Sequence, residues 1–211
     1  MKHLRFLSLF FAFFLALPAL QAQGLNSLKI SLRWQYKMSE FGGVPYTVGL
    51  EDKGSTYNLY ITGESESRDR ATEIGILVEH KDLKAFREYL GAIRDKYAEW
   101  SQVAKDNAVR NYQKDFAVNY NAYIFFQTGG LYYFKYNNPL DEWFSVDQNN
   151  VPKVKIITAR YVEDGVRNAG RLKMTFRTVE ELDALIRIID EAGPAIAADR
   201  AKRAKVDALF R

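Results

Sequence analysis

The chain contains no cysteine. That excludes disulfides, thiolate nucleophiles, thiolate metal sites and a lipid-modified cysteine behind an export signal. Small exported domains often lean on disulfides, so this one must hold itself together by burying apolar surface. Histidine is nearly as scarce, with only His3 and His80. If His3 is lost with a leader, histidine-rich metal sites are excluded and any histidine-dependent triad has to run through His80. There is also no strong excess of either charge. Removing Lys2 and Arg5 with the leader takes the basic count from 30 to 28 against 26 acidic residues, so the net charge falls from +4 to +2. A basic footprint for nucleic acid or anionic membrane is then weak.

The only long apolar run is at the start. Lys2, His3 and Arg5 precede Phe6–Leu17, then Pro18 and the small-residue end Ala19-Leu-Gln-Ala22. Charged, apolar and small-residue regions in that order are the pattern of a secretory signal peptide, with the cut expected before Gln23. The run is short of the ~20 residues that span a bilayer, and an uncleaved anchor is the alternative. The mature chain, residues 23–211, is long enough for one domain or two closely packed halves. The expected location is periplasmic or extracellular, with no membrane span left after cleavage.

Leu28, Ile30, Leu32 and Trp34 alternate with polar residues, so Leu28–Met38 reads as a half-buried strand. Phe41-Gly-Gly-Val-Pro45 breaks it. Tyr46–Leu50 and Tyr57–Thr62 follow as strands around the turn Asp52-Lys-Gly-Ser55, then the polar loop Glu64–Arg70 and a strand at Glu73–His80. The period then changes. Leu83, Phe86, Leu90, Ile93, Tyr97, Trp100 and Ala104 alternate spacings of three and four, the stripe of an amphipathic helix. We expect this helix from about Lys81 to about Phe116, roughly 50 Å at ~1.5 Å per residue. Its overhang, Trp100–Asn111, would need another partner, and a homodimeric coiled coil is one option.

The second half follows the same plan. Tyr120–Thr128 and Leu131–Tyr136 are joined at Gly129-Gly130. A turn at Asn137–Asp141, a short strand at Trp143–Val146, and strands at Val154–Val162 and Leu172–Phe176 follow. Thr178-Val-Glu-Glu181 fits a capping box and opens a helix to about Ala192. Gly193-Pro194 should stop or kink it before a final basic helix, Ala195–Arg211. Leu182, Leu185, Ile189 and Ala192 repeat the spacing of Leu83, Phe86, Leu90 and Ile93. The expected fold is therefore α+β with two similar units, 23–117 and 118–211 after the leader 1–22. Each is an antiparallel meander of about four strands followed by a long helix, and the helices pack together. A single sheet whose halves resemble each other by coincidence is the alternative.

The order of elements, and the passage from strand to helix over Ile74-Gly-Ile-Leu-Val-Glu-His-Lys-Asp-Leu-Lys-Ala-Phe-Arg-Glu-Tyr-Leu90, resembles Whirly proteins, Pur-type repeats and the transcriptional coactivator positive cofactor four. That resemblance implies a sheet face for single-stranded nucleic acid. No binding residue of those families maps onto a position here, and the export signal argues against nucleic acid as a partner.

The densest feature is aromatic: ten Tyr, Phe and Trp residues lie between Tyr120 and Phe144. Strands with two bulky faces are usually sandwiched between layers. Tyr132, Tyr136 and Trp143 are the candidates for an exposed platform, because each joins a large apolar face to a polar handle. His80 reads as a cap or surface residue. Asp141-Glu142, Asp147, Glu163-Asp164 and Glu180-Glu181 are the carboxylate clusters, and Asp147-Gln-Asn-Asn150 lacks the full spacing of a calcium loop. No catalytic residue, metal or cofactor is assigned. The expected function is non-enzymatic binding or scaffolding, offering an aromatic surface to a protein or glycan of the cell envelope. A carboxylate-dependent hydrolase of polysaccharide and a single-stranded nucleic-acid binder are the alternatives.

Overall fold

A computed structural model describes residues 32–41, 44–63, 73–128, 131–159, 161–163 and 167–210. The leader and its cut, the expected strand start at Leu28, the loop Glu64–Arg70 and the Gly129–Gly130 turn lie outside the described residues.

The first period-two stretches become β1 (Leu32–Phe41), β2 (Val44–Asp52), β3 (Tyr57–Gly63) and β4 (Glu73–Val78). The β2–β3 turn closes on Asp52, whose Oδ1 accepts from the Gly54 N–H at 2.8 Å. Gly54 has φ +89°, which a side chain would resist. A short 3-10 turn leads into α1 (Leu83–Asp106). Next come β5 (Tyr112–Asp115), β6 (Asn121–Thr128), β7 (Leu131–Val146) and β8 (Pro152–Thr158). The small hairpin β9 (Tyr161–Glu163) and β10 (Arg167–Gly170) precedes β11 (Lys173–Phe176) and α2 (Val179–Ala208). One antiparallel sheet runs β1-β2-β3-β4-β6-β7-β8-β11, with β5 beside β7. It curls enough for β1 to approach β11. The fold is α+β.

Both helices contribute to the core on one face of this sheet. Ile74, Ile76 and Val78 from β4 and Met174 and Phe176 from β11 meet Phe86, Leu90 and Ile93 of α1 and Leu182, Leu185 and Ile189 of α2 in one buried cluster. Each such side chain stabilises the fold by about 1.5–3 kcal/mol relative to exposure. Arg87 pairs with Asp190 and Arg94 with Asp183. Seven residues forward on α1 is seven back on α2, so the helices run antiparallel. Half of the expected capping box forms as such: Thr178 Oγ1 accepts from the Glu181 N–H, while Glu181 Oε2 reaches one residue past the cap and accepts from the Arg177 N–H.

Several expectations need correction. α1 ends at Asp106 rather than near Phe116, which makes it about 36 Å long. Asn107 caps it and Ala108 turns left-handed at φ +50°. The Val109 N–H then reaches back to the Ala104 carbonyl at 2.9 Å and the Ala108 N–H to that of Lys105 at 3.2 Å. This is a Schellman stop with alanine where glycine is usual. Trp100, expected on an overhang, stacks on Phe116 within the chain. β5 was not expected. The turn at Asn137–Asp141 is instead part of one 16-residue strand. Gly193-Pro194 does not end the second helix, which runs unbroken through Pro194. Gly193 makes room there for Tyr57, whose hydroxyl would lie 3.3 Å from an added Cβ. Finally, the expected strand Val154–Val162 is divided between β8, which ends at Thr158, and β9, which pairs with β10.

Candidate functional site

Because the helices cover one sheet face, the residues between the core positions point the other way. In β3, β4 and β6 these are Tyr60, Gly75, Leu77, Tyr123 and Phe125. Tyr60, Leu77 and Phe125 form a second buried cluster, against which Tyr123, Tyr132 and Phe134 pack half-buried. Phe125 lies over Gly75: a Cβ there would come 2.4 Å from its ring and 2.5 Å from the Ile61 carbonyl oxygen. The rings sit at packing distance, with Phe125 to Tyr60 at 5.6 Å, to Tyr132 at 6.2 Å and to Phe134 at 6.0 Å.

Tyr136 ends this row. It is 61% exposed and stands edge-on to Tyr123 at 4.4 Å. Just beyond it β7 bulges. Ala122 pairs with Asn138 but Ile124 with Lys135, so β7 carries one extra residue, and Asn137 takes φ +57°. The Asn138 amide donates to the carbonyls of Lys135 (2.8 Å) and Tyr136 (3.1 Å). A single inserted residue exchanges the faces of a strand. Even-numbered residues therefore point outward before the bulge (Tyr132, Phe134, Tyr136) and inward after it (Leu140, Glu142, Phe144), where all three are buried.

Tyr132, Tyr136 and Trp143 thus share the outer face of β7. Tyr132 and Tyr136 belong to one aromatic row. Trp143 lies seven residues further, up to about 23 Å away along the strand, between Asp115 of β5 and Lys155 of β8. The Lys155 ammonium is 5.9 Å from its ring. Burial pushes the Tyr132 hydroxyl up to about 12.

Carboxylates border the row. Glu51 accepts from the Tyr60 hydroxyl at 2.7 Å and from Lys53 at 2.6 Å. Glu73 is raised above the ordinary carboxylate range by burial, and its Oε2 has no hydrogen-bond partner among the described residues. Sequence reasoning missed both, because their relation to the aromatics depends on strand pairing.

The other clusters are held by local structure. Asp141 and Glu142 are strand neighbours and point to opposite faces. Glu142 is buried beneath α1, where the Tyr89 hydroxyl donates to it at 3.2 Å. Burial raises its carboxyl to about 7. Asp147 accepts from the N–H groups of Asn149 and Val151 and from Lys153, and the lysine contact holds it low. His80 is exposed, edge-on to Tyr57 at 4.6 Å. In the basic tail Arg200 is not simply solvated: it donates to Asp52 (2.7 Å) and to the Thr56 carbonyl, tying α2 to the β2–β3 turn. Among the described residues no three acidic or histidine side chains gather as metal ligands, and no helix is long and apolar enough to cross a membrane.

The chain matches no family model, no curated protein and no solved structure.

Proposed function

We propose that this is an exported, non-enzymatic binding module whose outer sheet face receives a glycan. One observation carries the reading: the helices occupy one face of the sheet, and on the other Tyr123, Tyr132, Phe134 and Tyr136 form an aromatic row only partly closed to solvent. Aromatic faces suit the apolar side of a sugar ring, and tyrosine adds a hydroxyl for hydrogen bonding. A protein partner would use the same aromatic surface.

We also infer that residues 23–117 and 118–211 are two related units. Four strands of the main sheet precede a helix in each, β1 to β4 before α1 and β6, β7, β8 and β11 before α2, with the β9–β10 hairpin inserted in the second, and the strand before each helix sends alternate apolar residues into the shared core. The likeness to Whirly and Pur-type proteins rests on this same order.

The test is affinity electrophoresis of the mature chain through gels containing envelope polysaccharides. The expected result is retardation by at least one glycan that is lost in a Tyr132→Ala, Tyr136→Ala variant with unchanged circular dichroism. Equal mobility of the two proteins in every gel refutes the glycan reading. Retention that instead falls steeply with salt and is competed by single-stranded DNA favours the nucleic-acid alternative.

A further inference from the structure

The Schellman stop of α1 folds the chain straight back on itself, and β5 then returns along β7. Trp100 and Val103, three apart on α1, thereby face Tyr112 and Lys114, two apart on one side of β5. Val109 and Phe144 complete the walls of an apolar pocket of about 270 Å³. That is the volume of about nine liquid waters at ~30 Å³ each, and slightly below the usual range of small-molecule sites. The deep walls are the Trp100 and Phe144 rings, packed edge to face at 5.8 Å. The mouth is unusually apolar for a surface, with Val103 53% and Tyr112 46% exposed.

One charge stands at this mouth. The Lys114 ammonium lies 4.4 Å from the centre of the Trp100 ring, and no carboxylate among the described residues pairs with it. The nearby Lys96 is committed, donating to the Phe116 carbonyl at 2.7 Å. An apolar cavity with an uncompensated cation at its entrance is complementary to an apolar body ending in an anion.

We propose that this pocket binds a small carboxylate with an aliphatic or aromatic tail, the tail against Trp100 and Phe144 and the carboxylate on Lys114. The site belongs to the edge of the helix-covered layer and is separate from the outer aromatic row, so it stands or falls independently of glycan binding.

Isothermal titration of the mature chain with octanoate, octan-1-ol and octylamine tests it. Octanoate should bind most tightly. Lys114→Gln, at an exposed position, should weaken octanoate about fivefold, the upper end for a partly exposed ion pair, while octan-1-ol stays within about twofold. Val103→Phe at the rim should fill the mouth and abolish binding of both, with the circular dichroism melt confirming that each variant is folded. Undetectable octanoate binding, equal affinity for octanoate and octylamine, or octanoate binding that survives Val103→Phe overturns the proposal.

Discussion

The buried carboxyl of Glu142 makes folding pH-dependent in a direction opposite to the usual acidic residue. It is 8% exposed, receives a hydrogen bond from Tyr89, and its proton affinity is raised from the ordinary 4.5 to about 7 by burial, with the charges of Asp141 and Asp115 adding to the rise. Below pH 4.5 it is protonated in both folded and unfolded chains and contributes no pH dependence. Between 4.5 and about 7 the unfolded chain releases the proton while the folded chain keeps it, so stability falls as pH rises. Above about 7 the loss is complete. At about 1.4 kcal/mol for each factor of ten in proton affinity it amounts to roughly 3 kcal/mol. Glu142→Gln keeps an acceptor for Tyr89 and has nothing to ionise. Urea denaturation of both proteins at pH 4, 5, 6, 7 and 8 isolates the effect, because other titrating groups, Glu73 among them, are common to both. The stability difference, variant minus native, should climb by roughly 3 kcal/mol between pH 4 and 8. A difference that stays flat over that range refutes the reasoning.

Three further outcomes follow from the geometry. Gly75→Ala sets a methyl group against the Phe125 ring and the Ile61 carbonyl oxygen; it should cost about 3 kcal/mol in urea unfolding, the upper part of the overpacking range, with only partial rescue by Phe125→Leu because the carbonyl cannot yield. Ala108→Gly should stabilise by about 0.5–1 kcal/mol, read as a raised melting temperature, because alanine at φ +50° is strained where glycine is not. Removing the Arg94–Asp183 pair by a double-mutant cycle should reveal a coupling below about 1 kcal/mol that shrinks in 1 M salt, as expected for a half-exposed bridge.

Periodicity made most of the elements visible in advance. Ile74, Ile76 and Val78 could be assigned because they alternate into the helix-covered core, and the stripe Leu83–Ile93 because it buries one side of α1 there. The end of α1 could not, since its Schellman stop uses Ala108 and the apolar spacing runs on beyond the turn. Gly193-Pro194 misled for the converse reason. The glycine serves Tyr57, which is distant in sequence, and the helix tolerates the proline because tertiary packing outweighs one lost backbone hydrogen bond. The candidate site was half legible. Tyr132 and Tyr136 could be placed on one face by alternation, but the position of Trp143 depends on the bulge, and those of Glu51 and Glu73 on cross-strand register. Asn137-Asn-Pro139 has turn composition, and local chemistry alone does not separate a turn from a bulge.

The bulge gives β7 two phases, and the phase is set by a count of residues rather than by their identity. Deleting Asn137 would leave a strand of ordinary composition whose distal half is read out of frame: Phe144 and Leu140 would turn to water, and Asp141 and Trp143 would be driven under α1. Substitutions along Leu140–Val146 are graded injuries, each confined to one side chain. A one-residue change of length between Tyr136 and Leu140 is all-or-none, which makes those few positions the least tolerant of insertion or deletion in the strand, although Asn137 itself is exposed and touches neither face's core.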